Sequence, residues 1–300
     1  MRYYSFKQYV QETYGENVKK IGLNAGFGCP NRIDEDGLGG CIFCNEEGYS
    51  NYAGQALSLD AQISGSIKEM KKRRDVRKFI AYFQNGTSTN AEPSELKRAY
   101  DVIRGFPEII GLSISTRPDC VDDEKLDLIA GYMDDYDVWV EYGMQSLSDD
   151  ILRRMNRGHT SGQTIEAIER TAKRGIKVGV HIMIGGMGQS REDIIKIAER
   201  ISGLPVDGVK LHMLHVLKNT PMEKMYESGS VRMLSLDEYA GYVCDFIEHL
   251  RSDCVIMRLI SDAKRDLIVA PRWMEDKLEA VRYIEREMEK RGVRQGSMLS

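Results

Sequence analysis

The chain has 300 residues, of which 42% are hydrophobic and 29% charged, a balance that indicates a folded globular protein and excludes a disordered one. Its formal charge of −4 excludes a protein that is basic throughout, so any nucleic-acid binding must rest on local basic runs. The sequence shows neither a signal peptide nor an apolar run near the roughly 20 residues of a membrane span. We therefore expect a cytoplasmic protein without a membrane segment, whose cysteines bind metal or do chemistry instead of forming disulfides.

The hydrophobic pattern predicts strands and helices in regular alternation. A short helix over Ser5–Tyr14, ended by Gly15, comes first. Six strands are predicted over Val18–Asn24, Lys78–Phe83, Ile109–Ser115, Asp137–Gly143, Lys177–Ile184 and Gly208–Leu214. The helices between them carry Leu59, Ile63, Ile67 and Met70 on one face, then cover Ser94–Ile103, Asp122–Tyr132, Asp149–Met155, Gly162–Arg174 and Ser190–Leu204. The predicted fold is α/β, a partial (β/α)6 TIM-like barrel, because right-handed crossovers curl a parallel sheet.

The alternation ends after Leu217. A helix over Leu236–Leu250, a further strand over Val255–Ile260 and a charged helix over Arg272–Arg291 are predicted beyond it. Because no linker separates these elements from the rest, we predict a core over residues 1–217 and a C-terminal helical extension over residues 218–300, packed on the core as part of one domain.

Polar or glycine-rich stretches follow five of the predicted strands, where a parallel α/β barrel places its active site. The first contains Cys29, Cys41 and Cys44, and the others are Gln84–Asn90, Ser115–Asp119, Glu141–Gln145 and Gly185–Gly188. These five stretches are therefore expected to surround one pocket.

The spacing of the three clustered cysteines favours a metal centre. Cys41 and Cys44 are two residues apart, so one turn can direct both thiols to the same centre, and Cys29 lies eleven residues before Cys41. Structural zinc and most iron–sulfur clusters take four protein ligands. Three thiols favour a cluster with one open iron, while zinc completed by a distant histidine or Cys120, and unligated thiols, stay as alternatives.

The cysteine pattern and several later motifs resemble the radical S-adenosylmethionine (SAM) superfamily. The eleven-residue first spacing departs from the common pattern of three and matches the elongator-type branch, specifically proteins of the YhcC/YtqA type. The motifs that carry the resemblance are Ser115–Asp119, Glu141–Ser146, Asn156–His159, Lys210–Leu214, Arg258–Leu259, Ala270–Trp273 and Arg291–Gly296. The resemblance implies a four-iron, four-sulfur cluster on the three cysteines. SAM would chelate the fourth iron and yield a deoxyadenosyl radical after one-electron reduction.

The resemblance also implies residues that contact SAM. Gln84, Asn85 and Thr87 replace the Gly-Gly-Glu segment that meets the SAM amino group in other members, so a hydroxyl or backbone contact would replace the carboxylate. The remaining predicted cofactor-binding residues are Ser115, Arg117, Glu141, Gln145, Arg157, Gly185 and Gly186. Each prediction has a structural alternative. These are a turn for Gln84, Asn85 and Thr87, an ion pair between Arg117 and Asp119, a buried structural partner for Glu141, and a plain turn for Gly185 and Gly186.

Substrate contacts are predicted from strand ends and basic runs. Lys210, His212 and His215 are candidate catalytic residues that bind substrate or move protons, or else core residues. Candidate substrate-binding residues are Arg153, Arg154, His159 and Arg258. Basic groups also occur at Lys71–Lys78, Lys173–Arg174 and Arg282–Arg294; they are either phosphate-binding surfaces or ordinary solvated helix faces.

The function implied by the resemblance is remodelling of a side chain on the wobble uridine of transfer RNA, from carboxymethylaminomethyl to aminomethyl. The expected partners are tRNA and an electron donor such as flavodoxin or ferredoxin. Radical chemistry on a small metabolite or peptide is the first alternative, and a zinc-stabilised binding protein without enzymatic activity is the second.

Overall fold

The computed structural model describes residues 2–32, 39–45, 57–73 and 76–299. The first helix, α1 (Phe6–Tyr14), confirms the prediction at both ends. The side chain of Ser5 accepts a hydrogen bond from the amide of Gln8, and Gly15 closes the helix in the left-handed conformation, where a residue without Cβ is favoured.

The strands also fall close to their predicted positions. They are β1 (Val18–Leu23), β2 (Lys78–Phe83), β3 (Ile109–Thr116), β4 (Asp137–Gln145), β5 (Lys177–Ile184), β6 (Gly208–Met213), β7 (Val216–Leu217), β8 (Val255–Arg258) and β9 (Ile268–Ala270). Within the described ranges, β1 to β6 and then β8 form a parallel seven-stranded sheet in that order. The sheet curls into a half-barrel of the predicted α/β type.

Nine further helices are present in the described residues. They are α2 (Leu59–Arg73), α3 (Pro93–Asp101), α4 (Asp123–Ala130), α5 (Asp149–Arg154), α6 (Ser161–Ala172), α7 (Arg191–Ser202), α8 (Pro221–Glu227), α9 (Leu236–Glu248) and α10 (Lys277–Arg291). In this part of the chain, no helix is long and apolar enough to cross a membrane. The helix predicted from Arg272 begins only at Lys277, because Arg272–Glu275 is a 3-10 turn and the Asp276 side chain caps the helix that follows.

The seventh strand of the sheet comes from the predicted C-terminal extension. β8 lies beside β6, with Arg258 opposite Lys210. β7 and β9 pair as a short antiparallel ribbon that the sequence did not predict. The extension therefore supplies part of the barrel wall, while the domain boundary at residue 217 stays a prediction.

The two faces of the sheet differ in what covers them. The outer face is apolar and packs under the helices, with side chains such as Ile21, Phe83 and Val140 fully buried. At the N-terminal end of the inner face, Trp139 packs edge-on against Tyr9 of α1, with ring centroids 5.5 Å apart. Because side chains alternate along a strand, Trp139 is followed on the inner face by the polar residues Glu141 and Gln145.

Candidate active site

A cavity of about 960 Å³ opens at the C-terminal ends of the strands. This volume lies within the range of small-molecule and cofactor sites. Fourteen predicted site residues line it: Cys29, Cys41, Cys44, Gln84, Asn85, Thr87, Ser115, Arg117, Gln145, Arg157, Lys210, His212, His215 and Arg258. Four of the five predicted loops thus meet at one cavity.

Backbone contacts hold the segment that carries Cys41 and Cys44. The amide of Cys44 donates to the carbonyl of Cys41 at 2.9 Å, which forms the turn that the two-residue spacing predicted. The amide of Ile42 donates to the carbonyl of Met155, and the Ile42 carbonyl accepts from the amide of Met222. The segment is therefore fixed between α5 and α8.

Two guanidinium groups lie against the thiols. Arg157 donates from Nη1 to Sγ of Cys41 at 3.0 Å, and Arg32 donates from Nη2 to Sγ of Cys44 at 2.7 Å. Burial raises the pKa of the Cys44 thiol, and the positive charge of Arg32 partly offsets this. Metal ligation requires thiolates, and nearby guanidinium groups stabilise that form.

The loops after β1 and β2 touch through their backbones. Gly86 has φ +74°, and a Cβ added there would lie 2.3 Å from the carbonyl oxygen of Gly28, so no larger residue fits. The amide of Thr87 donates to the same carbonyl at 2.7 Å. Among the described residues, the buried polar atoms on the cavity wall that have no hydrogen-bond partner include Oγ1 of Thr87 and Oε1 of Gln145. A bound polar molecule would satisfy both.

Arg117 takes the structural role that the sequence left as its alternative. Its Nε and Nη2 donate to the two carboxylate oxygens of Asp119 at 3.0 and 2.8 Å, and Nη1 donates to the carbonyl of Arg157 at 2.6 Å. The guanidinium fork is occupied by these partners, so Arg117 joins the loop after β3 to the segment that carries Arg157.

Glu141 is fully buried beneath the cavity and does not line it. Its carboxylate accepts from Lys20 at 2.5 Å, from His181 at 2.8 Å and from Lys210. Burial alone would raise the pKa of this carboxyl group, but the two lysines hold it well below its ordinary value. Ser113 donates to the same carboxylate at 2.6 Å. The carboxylate thus has protein partners, as the structural alternative for Glu141 predicted.

Lys210 and His212 form part of the cavity floor. Burial lowers the pKa of Lys210 to about 7, although Glu141 opposes the shift, so this amine can gain or lose a proton near neutral pH. Nζ of Lys210 also donates to the Tyr82 hydroxyl at 2.9 Å. The imidazole rings of His181 and His212 stack with centroids 5.1 Å apart, and burial lowers the pKa of both. His215, the third candidate catalytic residue, donates from Nδ1 to the Met213 carbonyl at 2.8 Å.

The predicted residues Gly185, Gly186 and His159 also lie away from the cavity wall. A Cβ on Gly185 would meet Leu234 at 2.8 Å, and one on Gly186 would meet Met155 at 2.2 Å. These neighbours fill the space beside both glycines, so the geometry agrees with the plain turn that was the alternative. His159 is buried, and burial lowers its pKa to about 4.

The basic runs are largely ion-paired. Arg153 and Arg154 are exposed on α5 and both contact Asp150, and Arg174 is paired with Asp123 and with a second carboxylate. The run Lys71–Lys78 includes positions 74 and 75, which lie outside the described residues. The predicted RNA-binding role of these groups stays a prediction.

The residues at or beneath the cavity that were not predicted from the sequence include Lys20, Arg32, Tyr82 and Asp262. Strand alternation was a usable signal for Lys20 and Tyr82, since each occupies the inner-facing register of a predicted strand. The sequence held no such signal for Arg32 and Asp262, which lie outside strands.

The curled parallel sheet has three thiols and unpaired polar atoms around one cavity at its strand ends, which is where enzymes of the α/β barrel class place their active sites. Residues 23–201 match the radical SAM superfamily, and residues 206–290 match the radical SAM C-terminal domain. Protein MJ0486 of Methanocaldococcus jannaschii is 37% identical over 302 residues, which are 98% of this chain and 92% of that protein. Protein YhcC of Escherichia coli (strain K12) is 35% identical over 287 residues, 95% of this chain and 92% of that protein. The chain belongs to the radical SAM superfamily.

The solved structure of the archaeal Methanocaldococcus infernus Elp3 has the same fold. It superimposes with a TM-score of 0.70 at 20% identity, over 93% of this chain. The chain spans 64% of the length of that Elp3 chain.

The protein is a radical SAM enzyme, and its cofactors are a four-iron, four-sulfur cluster and SAM. Its chemistry needs a reductant. The chemistry of the cavity fits both cofactors: three thiols line its wall, and Thr87 and Gln145 offer buried polar atoms without protein partners. Among the described residues, no three His, Cys, Asp or Glu side chains converge on a single metal ion. A cluster does not demand such convergence, because its thiolates bind different irons.

Proposed function

We propose that this enzyme remodels the side chain of a wobble uridine in tRNA, converting a carboxymethylaminomethyl group to aminomethyl. The observation that carries the proposal is that residues from four elongator-type motifs, Arg117, Gln145, Arg157 and Lys210, come together at one cavity with the three cysteines. The sequence similarity to curated Elongator complex protein 3 and archaeosine synthase relatives supports the same class of substrate.

In this proposal Cys29, Cys41 and Cys44 hold the cluster, and the Thr87 hydroxyl and Gln145 amide contact SAM. When bound, these cofactors supply an adenosyl radical that removes hydrogen from an unactivated C–H bond. Phe43 and Met183 belong to an apolar cluster on the thiol side of the cavity. They keep water away from the reacting atoms, and exclusion of water limits side reactions.

The proton chemistry is assigned to Lys210. Its amine has a pKa of about 7, lowered by burial, and lies on the cavity floor, so it can accept a proton from the water whose oxygen would replace nitrogen on the departing carbon. The carboxymethyl carbons would leave as the corresponding aldehyde acid, and SAM, split into methionine and deoxyadenosine, would take up the electrons that this carbon loses. The tRNA phosphates would meet Arg153 and Arg154, which are exposed on α5. The proposed setting is the cytoplasm, where flavodoxin or ferredoxin would supply the electron.

The substrate assignment predicts a change in cellular RNA. A strain lacking this enzyme should accumulate the carboxymethylaminomethyl nucleoside and lose most of the aminomethyl-derived forms, because the conversion has no catalyst. Mass spectrometry of nucleosides from purified tRNA measures both. An unchanged profile would contradict the tRNA proposal and favour a metabolite or peptide substrate.

The hydrogen bond from Arg157 to Cys41 should raise the reduction potential of the cluster. If Cys41 is a ligand, the hydrogen bond from Nη1 of Arg157 at 3.0 Å stabilises the reduced, more negative state, since hydrogen bonds to ligand sulfurs set cluster potentials. Arg157→Gln should therefore lower the reduction potential by on the order of 60 mV, which corresponds to a tenfold change for one electron. A redox titration followed by electron paramagnetic resonance (EPR) measures this, with Arg104→Gln on the surface as control. Equal potentials in both variants would contradict the assignment.

A further inference from the structure

The floor of the cavity carries more positive than negative charge. Lys20 and Lys210 share the single carboxylate of Glu141, one on each oxygen. A carboxylate that serves two ammonium groups leaves one positive charge without a full counter-ion, and burial makes that costly. The side chain of Lys210 is 5% exposed, so water does not screen it.

The neighbouring strand carries a second shared carboxylate, whose group is partly exposed to solvent. Arg258 on β8 lies opposite Lys210 on β6 in the sheet register. Its Nη2 donates to Asp262 at 2.9 Å, and Asp262 also pairs with Lys277. Among the described residues, Glu141 and Asp262 are thus the carboxylates paired with four cations at this end of the sheet.

A buried ring nitrogen of His212, which lines the same cavity, has no hydrogen-bond partner among the described residues. This nitrogen is Nε2. His212 lines the cavity together with Lys210 and Arg258. Burial and the neighbouring cations hold the pKa of His212 well below its ordinary value, so the ring is neutral and can donate one hydrogen bond.

We propose that Lys210, His212 and Arg258 form a subsite that binds a carboxylate group of the substrate. This inference rests on the proposed function, in which the carboxymethyl group of the substrate supplies the carboxylate. A monoanion matches the one buried positive charge that Glu141 leaves unbalanced between Lys20 and Lys210, and a planar carboxylate suits the flat fork of a guanidinium. A carboxylate held here also favours the ammonium form of Lys210. The subsite thus selects for substrates with a carboxylate and orients the bond beside it.

The probe for this subsite is N-methylglycine, and the matched comparison is its amide, which keeps the ammonium group and loses the carboxylate charge. Calorimetry on the cluster-loaded enzyme with SAM should show binding of the carboxylate at least about tenfold tighter than of the amide, as expected for a charge-assisted contact. Arg258→Gln should weaken binding of the carboxylate by about tenfold and leave the amide unchanged. Arg232→Gln removes a similar pair, Arg232–Glu238 at 2.9 Å, on the surface and should change neither.

Arg258→Lys serves as the second variant, because it keeps the charge and should retain part of the preference. Equal binding of the two probes, no measurable binding of either, tighter binding of inorganic phosphate, or full binding by Arg258→Gln would overturn the subsite. The probes contain no RNA, so this result is independent of the nucleoside profile. An unchanged profile together with a preference for N-methylglycine would refute the tRNA substrate and support the carboxylate subsite.

Discussion

Replacement of Glu141 by glutamine is expected to lower the free energy of unfolding by about 3–5 kcal/mol, the cost of breaking a buried ion pair. Its carboxylate is fully buried and is the counter-ion that Lys20 and Lys210 share. Glutamine keeps the volume and loses the charge, so both lysines would lose this counter-ion in a buried setting. Chemical denaturation at neutral pH measures the change.

The matched control is Glu108→Gln. Glu108 pairs with Lys71 at 2.9 Å, but both side chains are partly exposed, so the cost should be at most about 1 kcal/mol. Similar losses in the two variants would contradict a special role for the buried cluster.

The pH dependence of stability should also carry the signature of Glu141. Because the folded protein holds its pKa well below the ordinary value, its stabilising contribution is complete above the pKa of an unfolded glutamate. That contribution is lost as pH falls towards the lower folded pKa. Wild type should therefore lose more stability than Glu141→Gln between neutral and acid pH.

Replacement of Cys41 by alanine is expected to abolish the bound cluster and SAM cleavage. The three thiols line one cavity, and loss of one of the three proposed ligands would leave an iron of the cluster without its thiolate. Cys254→Ala is the control, since Cys254 is fully buried in the main core and its loss should affect stability alone. Cys120→Ala should also retain iron. A Cys41→Ala protein that still cleaves SAM would contradict the proposed ligand set.

The fold was largely predictable because its elements are local. Strand periodicity and helix caps act over a few residues, so β2 and β5 were predicted to the residue, and the Ser190 cap of α7 is present. The place of β8 beside β6 was not predictable. It depends on pairing between segments more than forty residues apart, and a four-residue strand carries little pattern of its own.

The site was predictable where reactive residues lie close together in the sequence. It was not predictable where a side chain and its partner are far apart in the sequence. The spacing of the clustered cysteines was enough to predict a metal centre. The partner of Arg117 was one of two open alternatives, and only the folded chain places Asp119 across its fork. The charge cluster around Glu141 required the sheet register, because Lys20 precedes it by more than a hundred residues.

We propose above all that Cys29, Cys41 and Cys44 hold a cluster whose fourth iron binds SAM. EPR spectroscopy of the anaerobically prepared, reduced enzyme, recorded before and after addition of SAM, tests this directly. We expect about four irons per chain, a signal of a reduced four-iron cluster, and a marked change in that signal when SAM is added. A colourless protein with one zinc, or a cluster signal that SAM leaves unaltered, would contradict the claim.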